Sequence, residues 1–416
     1  MLKVIDGGVT APKGFKASGI EAEIKKKNKK DIALIYSEVP ATAAGTFTTN
    51  RVKAAPVLVD IDTVKKGKGQ AIIANSGNAN ACNGKKGITD AKKMQTETAK
   101  ALKIKSDLVY VASTGVIGQT LPMDRVVKGI SKAVKSLHHE GNDDAASAIM
   151  TTDTFPKSIS VEFELDGKTC RMGAICKGSG MIAPLMAGPH ATMLCFITTD
   201  ANVDQKLLQK MIETSVDRSF NHVTVDNDES TNDTCIIFAN GLAGNKTLKS
   251  KSSQDYAVFL EALQFVTTTL AKMMARDGEG ATKFVEVIVE NAKTEKDAFV
   301  IAKAIANSPL VKTAIFGADA NWGRIICAAG YSGVKINPDV VDITLGGKSK
   351  DEEDFELIKL ARNGISTNFP ESDAKKLLEN SDILILVDIK EGSQSSYVWT
   401  CDFSYDYVKI NGSYRS

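Results

Sequence analysis

Lys177-Gly178-Ser179-Gly180-Met181-Ile182-Ala183-Pro184, followed after a short stretch by Ala191-Thr192-Met193-Leu194-Cys195-Phe196-Ile197, is the run on which the reading of this chain turns. Its first half is turn chemistry, rich in Gly, Ser and Pro. Its second half is a continuous apolar run with the length of a buried strand. Thr192 stands where one gives way to the other. If the Ala191–Thr192 bond were cut, Thr192 would begin a new chain. Its α-amine, with a pKa of ~7.7–8, could then act as base for its own hydroxyl. Such a design dispenses with histidine, and the chain has only four: His138, His139, His190 and His222. The residue types alone leave this reading open against a plain turn leading into a core strand.

Three further stretches interrupt apolar runs in the same way. Asn75-Ser76-Gly77-Asn78-Ala79-Asn80 follows the apolar Gln70-Ala71-Ile72-Ile73-Ala74, and Ser113-Thr114-Gly115-Val116-Ile117-Gly118 follows Leu108-Val109-Tyr110-Val111-Ala112. The last is Asp402 to Ser416. A strand ending in Thr-Gly can aim a hydroxyl and a backbone N–H at one point, the geometry of an oxyanion hole. An ordinary turn fits the same residues.

Elsewhere the pattern is that of a mixed α/β protein. Asp31 to Tyr36, Gln70 to Ala74, Val285 to Val289 and Ile383 to Val387 read as strands. Leu207, Leu208, Met211, Ile212 and Val216 hold one helical face, with Asp200 and Asp204 as caps near its start. A longer helix is expected over about Gln254 to Ala275, on Phe259, Leu263, Val266 and Leu270. It stops at Arg276-Asp277-Gly278-Glu279-Gly280. Asp297 to Ala306 and Glu352 to Asn363 are expected to be helical as well. Lys25-Lys26-Lys27-Asn28-Lys29-Lys30 reads as a solvated hairpin tip or an anion-attracting patch. Strands and helices without regular βαβ spacing predict an α/β layered sandwich, neither a barrel nor doubly wound. No linker divides the chain cleanly.

Composition narrows the function classes. The 416 residues are 43% hydrophobic and 25% charged, which excludes wholesale disorder. Lys+Arg 52 against Asp+Glu 50 gives no global case for nucleic acid or an anionic membrane as partner. Aromatics at 6% argue against stacking platforms for single strands. No run of about 18 apolar residues suggests a bilayer span, and the first residues do not read as a signal peptide. Seven scattered cysteines, mostly in apolar runs, point to buried thiols in a reducing, cytoplasmic setting. Neither HxxxH nor HExxH spacing occurs, so no metal site is expected. Leu345-Gly346-Gly347-Lys348-Ser349 fails as a phosphate loop because Asp342 stands where its first glycine belongs. Asp226-Asn227-Asp228-Glu229 lacks the spacing of a calcium loop and reads as a polar turn.

Taken in order, the motifs resemble the ornithine acetyltransferase family, also called the bifunctional arginine-biosynthesis ArgJ family. The resemblance runs from Gly7-Gly8-Val9-Thr10-Ala11-Pro12-Lys13-Gly14-Phe15 through Thr46-Phe47-Thr48-Thr49-Asn50-Arg51-Val52 and the Asn75 and Ser113 stretches. It continues with Thr151-Thr152-Asp153-Thr154, the Lys177 segment, Ser230-Thr231-Asn232-Asp233 and Asp277-Gly278-Glu279-Gly280-Ala281-Thr282-Lys283. It ends with Asn321-Trp322-Gly323-Arg324 and Tyr405-Asp406-Tyr407-Val408-Lys409-Ile410-Asn411. The resemblance implies a fold of the ArgJ/DmpA type, N-terminal-nucleophile-like. It implies self-cleavage between Ala191 and Thr192 into an α chain, 1–191, and a β chain, 192–416. Thr192 then looks like the nucleophile, and Thr114 and Gly115 like the oxyanion hole. Thr154, Lys177, Thr192, Glu279, Asn411 and Ser416 fall on the family's substrate-binding positions.

The activity implied is transfer of acetyl from N-acetylornithine to glutamate, giving ornithine and N-acetylglutamate. No cofactor or metal is implied, acetyl-CoA is an alternative donor, and the α and β chains are expected to form a heterotetramer. One departure stands out. The family reads close to Pro-Asn-Met-Ala-Thr-Met-Leu, whereas this chain has Pro184-Leu185-Met186-Ala187-Gly188-Pro189-His190-Ala191-Thr192, four residues longer before the Ala-Thr bond. The addition bears on processing, which depends on strained backbone at the scissile bond. Two alternatives follow: a self-processing amidohydrolase or aminopeptidase, and an unprocessed amino-acid-binding protein.

Overall fold

The computed structural model describes residues 2–25, 28–183, 193–349 and 351–412. The chain forms two compact units. One comprises residues 1–221 with 229–270, the other residues 222–228 with 271–416. One of the boundaries falls inside the continuous helix Gln254–Arg276. A boundary of that kind leaves no Pro-, Gly- or Ser-rich linker in the sequence, which is why composition does not reveal it.

The first unit is built on a nine-stranded sheet. Its strands are β1 (Lys3–Ile5), β2 (Phe15–Ile20), β3 (Ile32–Phe47), β4 (Lys68–Asn78), β5 (Val109–Val116), β6 (Lys157–Leu165), β7 (Lys168–Lys177), β8 (Leu194–Thr199) and β9 (Thr234–Ala239). The spatial order is β1-β6-β7-β8-β9-β3-β4-β5, with β2 paired to β3 off this path. The β4–β5 and β8–β9 pairs are parallel. β8 and β9 are buried throughout, as their unbroken apolar sequences require. The helix Gln205–Asp217 starts on Asp204, whose carboxylate accepts from the Lys206 and Leu207 N–H groups. Asp200, expected as a second cap, instead accepts from the backbone N–H groups of Lys13 and Arg171.

Helix Gln254–Arg276 confirms the periodicity reading. It is long and apolar enough to cross a bilayer by length and composition, yet its stripe of Phe259, Leu263, Val266, Leu270 and Met274 is fully buried in the protein. Such burial is the pattern of a core helix. Five of the seven cysteines are buried as expected, while Cys82 and Cys327 are exposed.

The second unit carries a six-stranded sheet: β10 (Phe284–Ala292), β11 (Asp342–Lys348), β12 (Glu356–Arg362), β13 (Ile365–Ser366), β14 (Asp382–Asp388) and β15 (Gln394–Cys401). The order is β13-β12-β11-β14-β10-β15. Val285, Val287 and Val289 of β10 and Ile383, Ile385 and Val387 of β14 point into one core. Against them pack Ala298, Ile301, Ala302 and Ile305 of the helix Glu295–Asn307. Thr294 caps that helix through the Asp297 N–H.

One expectation is overturned. Glu352 to Asn363 is not helical: β12 occupies Glu356–Arg362 and pairs antiparallel with β11. Asn363 and Gly364, with φ of +49° and +72°, form a two-residue turn that pairs Arg362 with Ile365. Both residues take the left-handed conformation that tight hairpins demand and that Asn-Gly supplies at little cost.

Candidate active site

The parallel pair β4–β5 ends in the Asn75 and Ser113 stretches, so both are delivered to the same end of the sheet. Gly77 stands opposite Gly115, and the ladder is irregular at Asn78, which pairs with both Thr114 and Val116. Irregular pairing at a strand end re-aims backbone groups. Gly115 has φ of +132°, and a Cβ there would lie 2.4 Å from the Gly77 carbonyl carbon. Only glycine satisfies both conditions.

Buried amides hold this corner. The Ser113 hydroxyl donates to Asn75 Oδ1 at 2.6 Å, and Asn75 Nδ2 to the Asn78 carbonyl at 2.9 Å. Asn232 Nδ2 donates to the carbonyls of Ser113 and Ala79. These buried polar groups thereby have partners, which helps to hold the segment carrying Thr114 and Gly115.

Thr114 is buried, and its hydroxyl oxygen accepts from Lys177 Nζ at 3.4 Å. With a lone pair engaged by an ammonium, the hydroxyl proton is left to donate elsewhere. A Thr114 hydroxyl and a Gly115 N–H beside a cation can receive developing negative charge. Replacing Thr114 by Val, which keeps the shape and removes the donor, is expected to lower kcat roughly 10²- to 10³-fold. Steady-state turnover at saturating substrate checks it.

Lys177 ends β7 and pairs with Leu194, the first residue of β8. Behind it lies a buried ionic cluster. Asp153 accepts from Lys157 Nζ at 2.7 Å and from the Gly178 N–H at 2.7 Å, and its other oxygen from the Thr151 N–H at 2.9 Å. Burial by itself would raise the Asp153 pKa, but Lys177, Lys157 and these hydrogen bonds hold it well below the usual carboxylate range. Thr154, next in sequence, is exposed.

Asp233 is another buried carboxyl at this end. Burial drives its pKa well above the usual range, against hydrogen bonds from Ser230 and the Met193 N–H and the charge of Lys177. The Met193 carbonyl accepts from the Thr234 N–H at 2.7 Å. Met193 is therefore pinned on both sides. Its neighbours Ala191 and Thr192, the expected cleavage site and nucleophile, lie outside the described residues, as does Ser416.

In the second unit, Glu279 is buried and its carboxylate accepts from Asn411 Nδ2 at 2.6 Å. Two expected substrate-binding residues are thus brought together. Asp402 fixes their neighbourhood by accepting from the Thr282 N–H, the Thr282 hydroxyl and the Lys283 N–H. Among the described residues, no three His, Cys, Asp or Glu side chains gather as a metal site would require.

Sequence reasoning left several residues here without a role. Asp153 and Asp233 lie within hydroxyl-rich motifs, and nothing in those motifs marks Lys157 as a neighbour. The available signal was the opposite-charge spacing of Asp153 and Lys157 in a segment otherwise rich in hydroxyls. Lys25 is the clearer miss. The segment does connect β2 to β3, but Lys25 is half-buried and donates from Nζ to the Met150 carbonyl at 2.8 Å, so the reading of a solvated tip fails at this residue.

Comparison with known proteins gives a consistent result. A profile described as the ArgJ family matches residues 16–416. The arginine biosynthesis bifunctional protein ArgJ of Caldanaerobacter subterraneus subsp. tengcongensis is 54% identical over 415 residues, covering 100% of both chains. A glutamate N-acetyltransferase of Methanocaldococcus jannaschii is 50% identical over 422 residues, again covering 100% of each. Among solved structures, ornithine acetyltransferase of Mycobacterium tuberculosis complexed with ornithine is 42% identical, covering 45% of this chain and 100% of that one, with a TM-score of 0.43.

Proposed function

This chain belongs to the ArgJ family, and from that premise we propose that it is a glutamate N-acetyltransferase of arginine biosynthesis, working through an acetylated Thr192. The observation that carries the reading is the contact of Lys177 Nζ with the Thr114 hydroxyl, at the strand end where Met193 is held.

The chemistry runs in two halves. The Thr192 hydroxyl attacks the acetyl carbonyl of N-acetylornithine while its own α-amine takes the proton. Thr114 and Gly115 stabilise the oxyanion, with Lys177 adding positive charge. The C–N bond breaks, the proton passes to the leaving amine, and ornithine departs. The neutral amine of glutamate then attacks acetyl-Thr192, the Thr192 oxygen leaves and regains its proton, and N-acetylglutamate is released. Lys177 pairs with a substrate α-carboxylate. Glu279 receives a substrate ammonium, and Thr154, Asn411 and Ser416 hydrogen-bond polar substrate groups. No prosthetic group enters these steps. Acetyl-CoA fits as a second donor for the first half, a heterotetramer of two α and two β chains as the assembly, and the cytoplasm as the location.

Initial rates with purified protein test the proposal. Varying N-acetylornithine at several glutamate concentrations should give the parallel double-reciprocal lines of a ping-pong reaction. Amino-terminal sequencing should find a chain starting Thr-Met-Leu-Cys. Faster release of acetate without glutamate than transfer with it would replace transfer by hydrolysis. One intact 44.5 kDa species that binds ornithine without turnover would leave only a binding protein.

A further inference from the structure

We propose that Lys25 is a specificity-determining residue that, together with Lys177, seats an acyl acceptor bearing two carboxylates. The inference rests on the acetyl-transfer reading and names the part of that site which distinguishes the acceptor from the donor.

The segment that presents Lys25 is built rather than loose. The Asp31 carboxylate, fully buried, accepts from the backbone N–H groups of Ala22 at 2.7 Å, Ile24 at 2.6 Å and Lys25 at 3.1 Å. The Asp31 carbonyl accepts from the Ser76 N–H at 2.9 Å, which ties the turn to the end of β4. Three donors converging on one acid fix where the Lys25 Cα lies, so the direction of its side chain is set in advance.

That direction leads to the oxyanion corner. A Cβ on Gly77 would meet Lys25 Cγ at 2.8 Å, and one on Gly115 would meet the Gly77 carbonyl carbon at 2.4 Å. A single glycine therefore separates the Lys25 stem from Gly115. Lys25 Nζ reaches the Met150 carbonyl, at the head of the segment carrying Asp153 and Thr154. An ammonium has three donors and Met150 takes one.

Lys25, Lys157 and Lys177 are three ammonium groups gathered with the carboxyls of Asp31, Asp153 and Asp233. Asp153 is already engaged by Lys157 and Asp31 by three backbone N–H groups. Burial, more than any charge, lowers the Lys25 pKa to about 8; Asp31 and Asp153 oppose the shift while Lys29 and Lys177 add to it. The Lys25 ammonium donates to a neutral carbonyl, and an incoming carboxylate would give it a charged partner. N-acetylornithine carries one carboxylate and a cationic tail, which a second ammonium repels. Glutamate carries two carboxylates and suits a pair of cations.

The test compares glutamate with glutamine, an acceptor of the same size whose side chain ends in a neutral amide. Wild-type protein should favour glutamate in kcat/KM. Lys25→Gln, which retains a donor for the Met150 carbonyl, should reduce that preference roughly 10- to 100-fold, mainly through a higher KM for glutamate. Lys25→Arg should keep most of the preference. A Lys25→Gln variant that melts like wild type and discriminates as well overturns the proposal, as does a loss falling equally on both acceptors. Wild-type protein that acetylates neither acceptor refutes the acetyl-transfer reading itself and removes this inference with it.

Discussion

Replacing Thr192 by Ala should give one uncleaved 44.5 kDa band on a denaturing gel and no measurable acetyl transfer. The size of the effect follows from the double duty assigned to this residue. Its hydroxyl is the attacking group, and its α-amine, freed only by cleavage, is the base. Alanine removes the first and, by preventing cleavage, withholds the second. Losses on the order of 10⁴- to 10⁶-fold are usual when a nucleophile acting as part of a unit is removed. Thr192→Ser separates the two duties. It retains a hydroxyl and the possibility of a free amine, so two fragments and reduced but measurable turnover are expected. The oxyanion corner has hydrogen bonds of its own, from Lys177 to Thr114, from Asn75 to the Asn78 carbonyl and from Asn232 to the Ser113 carbonyl. The alanine variant should therefore still bind N-acetylornithine. Undiminished activity in an intact Thr192→Ala chain would end the nucleophile assignment.

What could be read in the sequence follows from the range of the forces involved. Helix Gln254–Arg276 announces itself because one face packs at a fixed period, whereas the residue types of Thr114-Gly115 suit an ordinary turn equally well. The Glu352 to Asn363 stretch deceived because Leu357, Ile358, Leu360 and Ala361 suit a helical face as well as a strand. Pairing with β11 decides the matter, and that partner is remote from local propensity. The Asn363-Gly364 turn was the local sign of the true answer. Lys25 was hidden differently. In a run of lysines every member looks solvated, and Lys25 is turned inward by contacts with Asp31 and Met150 that the run itself does not announce. The α/β layered class was legible, while the division into two units was not, because a continuous helix crosses it.

Asp153→Ala should be the most damaging change outside the reacting groups. Lys157 is fully buried and its ion pair with Asp153 is 2.7 Å long, while Lys177 presses on the same carboxylate. Removing the acid takes a carboxylate away from a buried ammonium and strips the Gly178 and Thr151 N–H groups of their acceptor. Breaking a buried pair from one side costs about 3–5 kcal/mol, and a fall in melting temperature of roughly 5 °C follows for a chain of this length. Replacing both members, as in Asp153→Leu with Lys157→Met, should recover only part of this, because the Lys157 charge is then gone while Lys177 still lacks the carboxylate. The pH dependence carries a definite sign. A carboxylate whose folded pKa is depressed stabilises the fold fully above its unfolded value, about 4, and that contribution drains away as pH falls through the folded value. The gap between wild type and Asp153→Ala should be constant from pH 7 to about 5 and narrow in stronger acid. Urea unfolding at a series of pH values checks both points, and an undiminished gap at pH 2 would show that packing rather than charge accounts for the loss. Activity should suffer too, since Lys177 shares this carboxylate, and a Lys177 drawn out of place can no longer support Thr114.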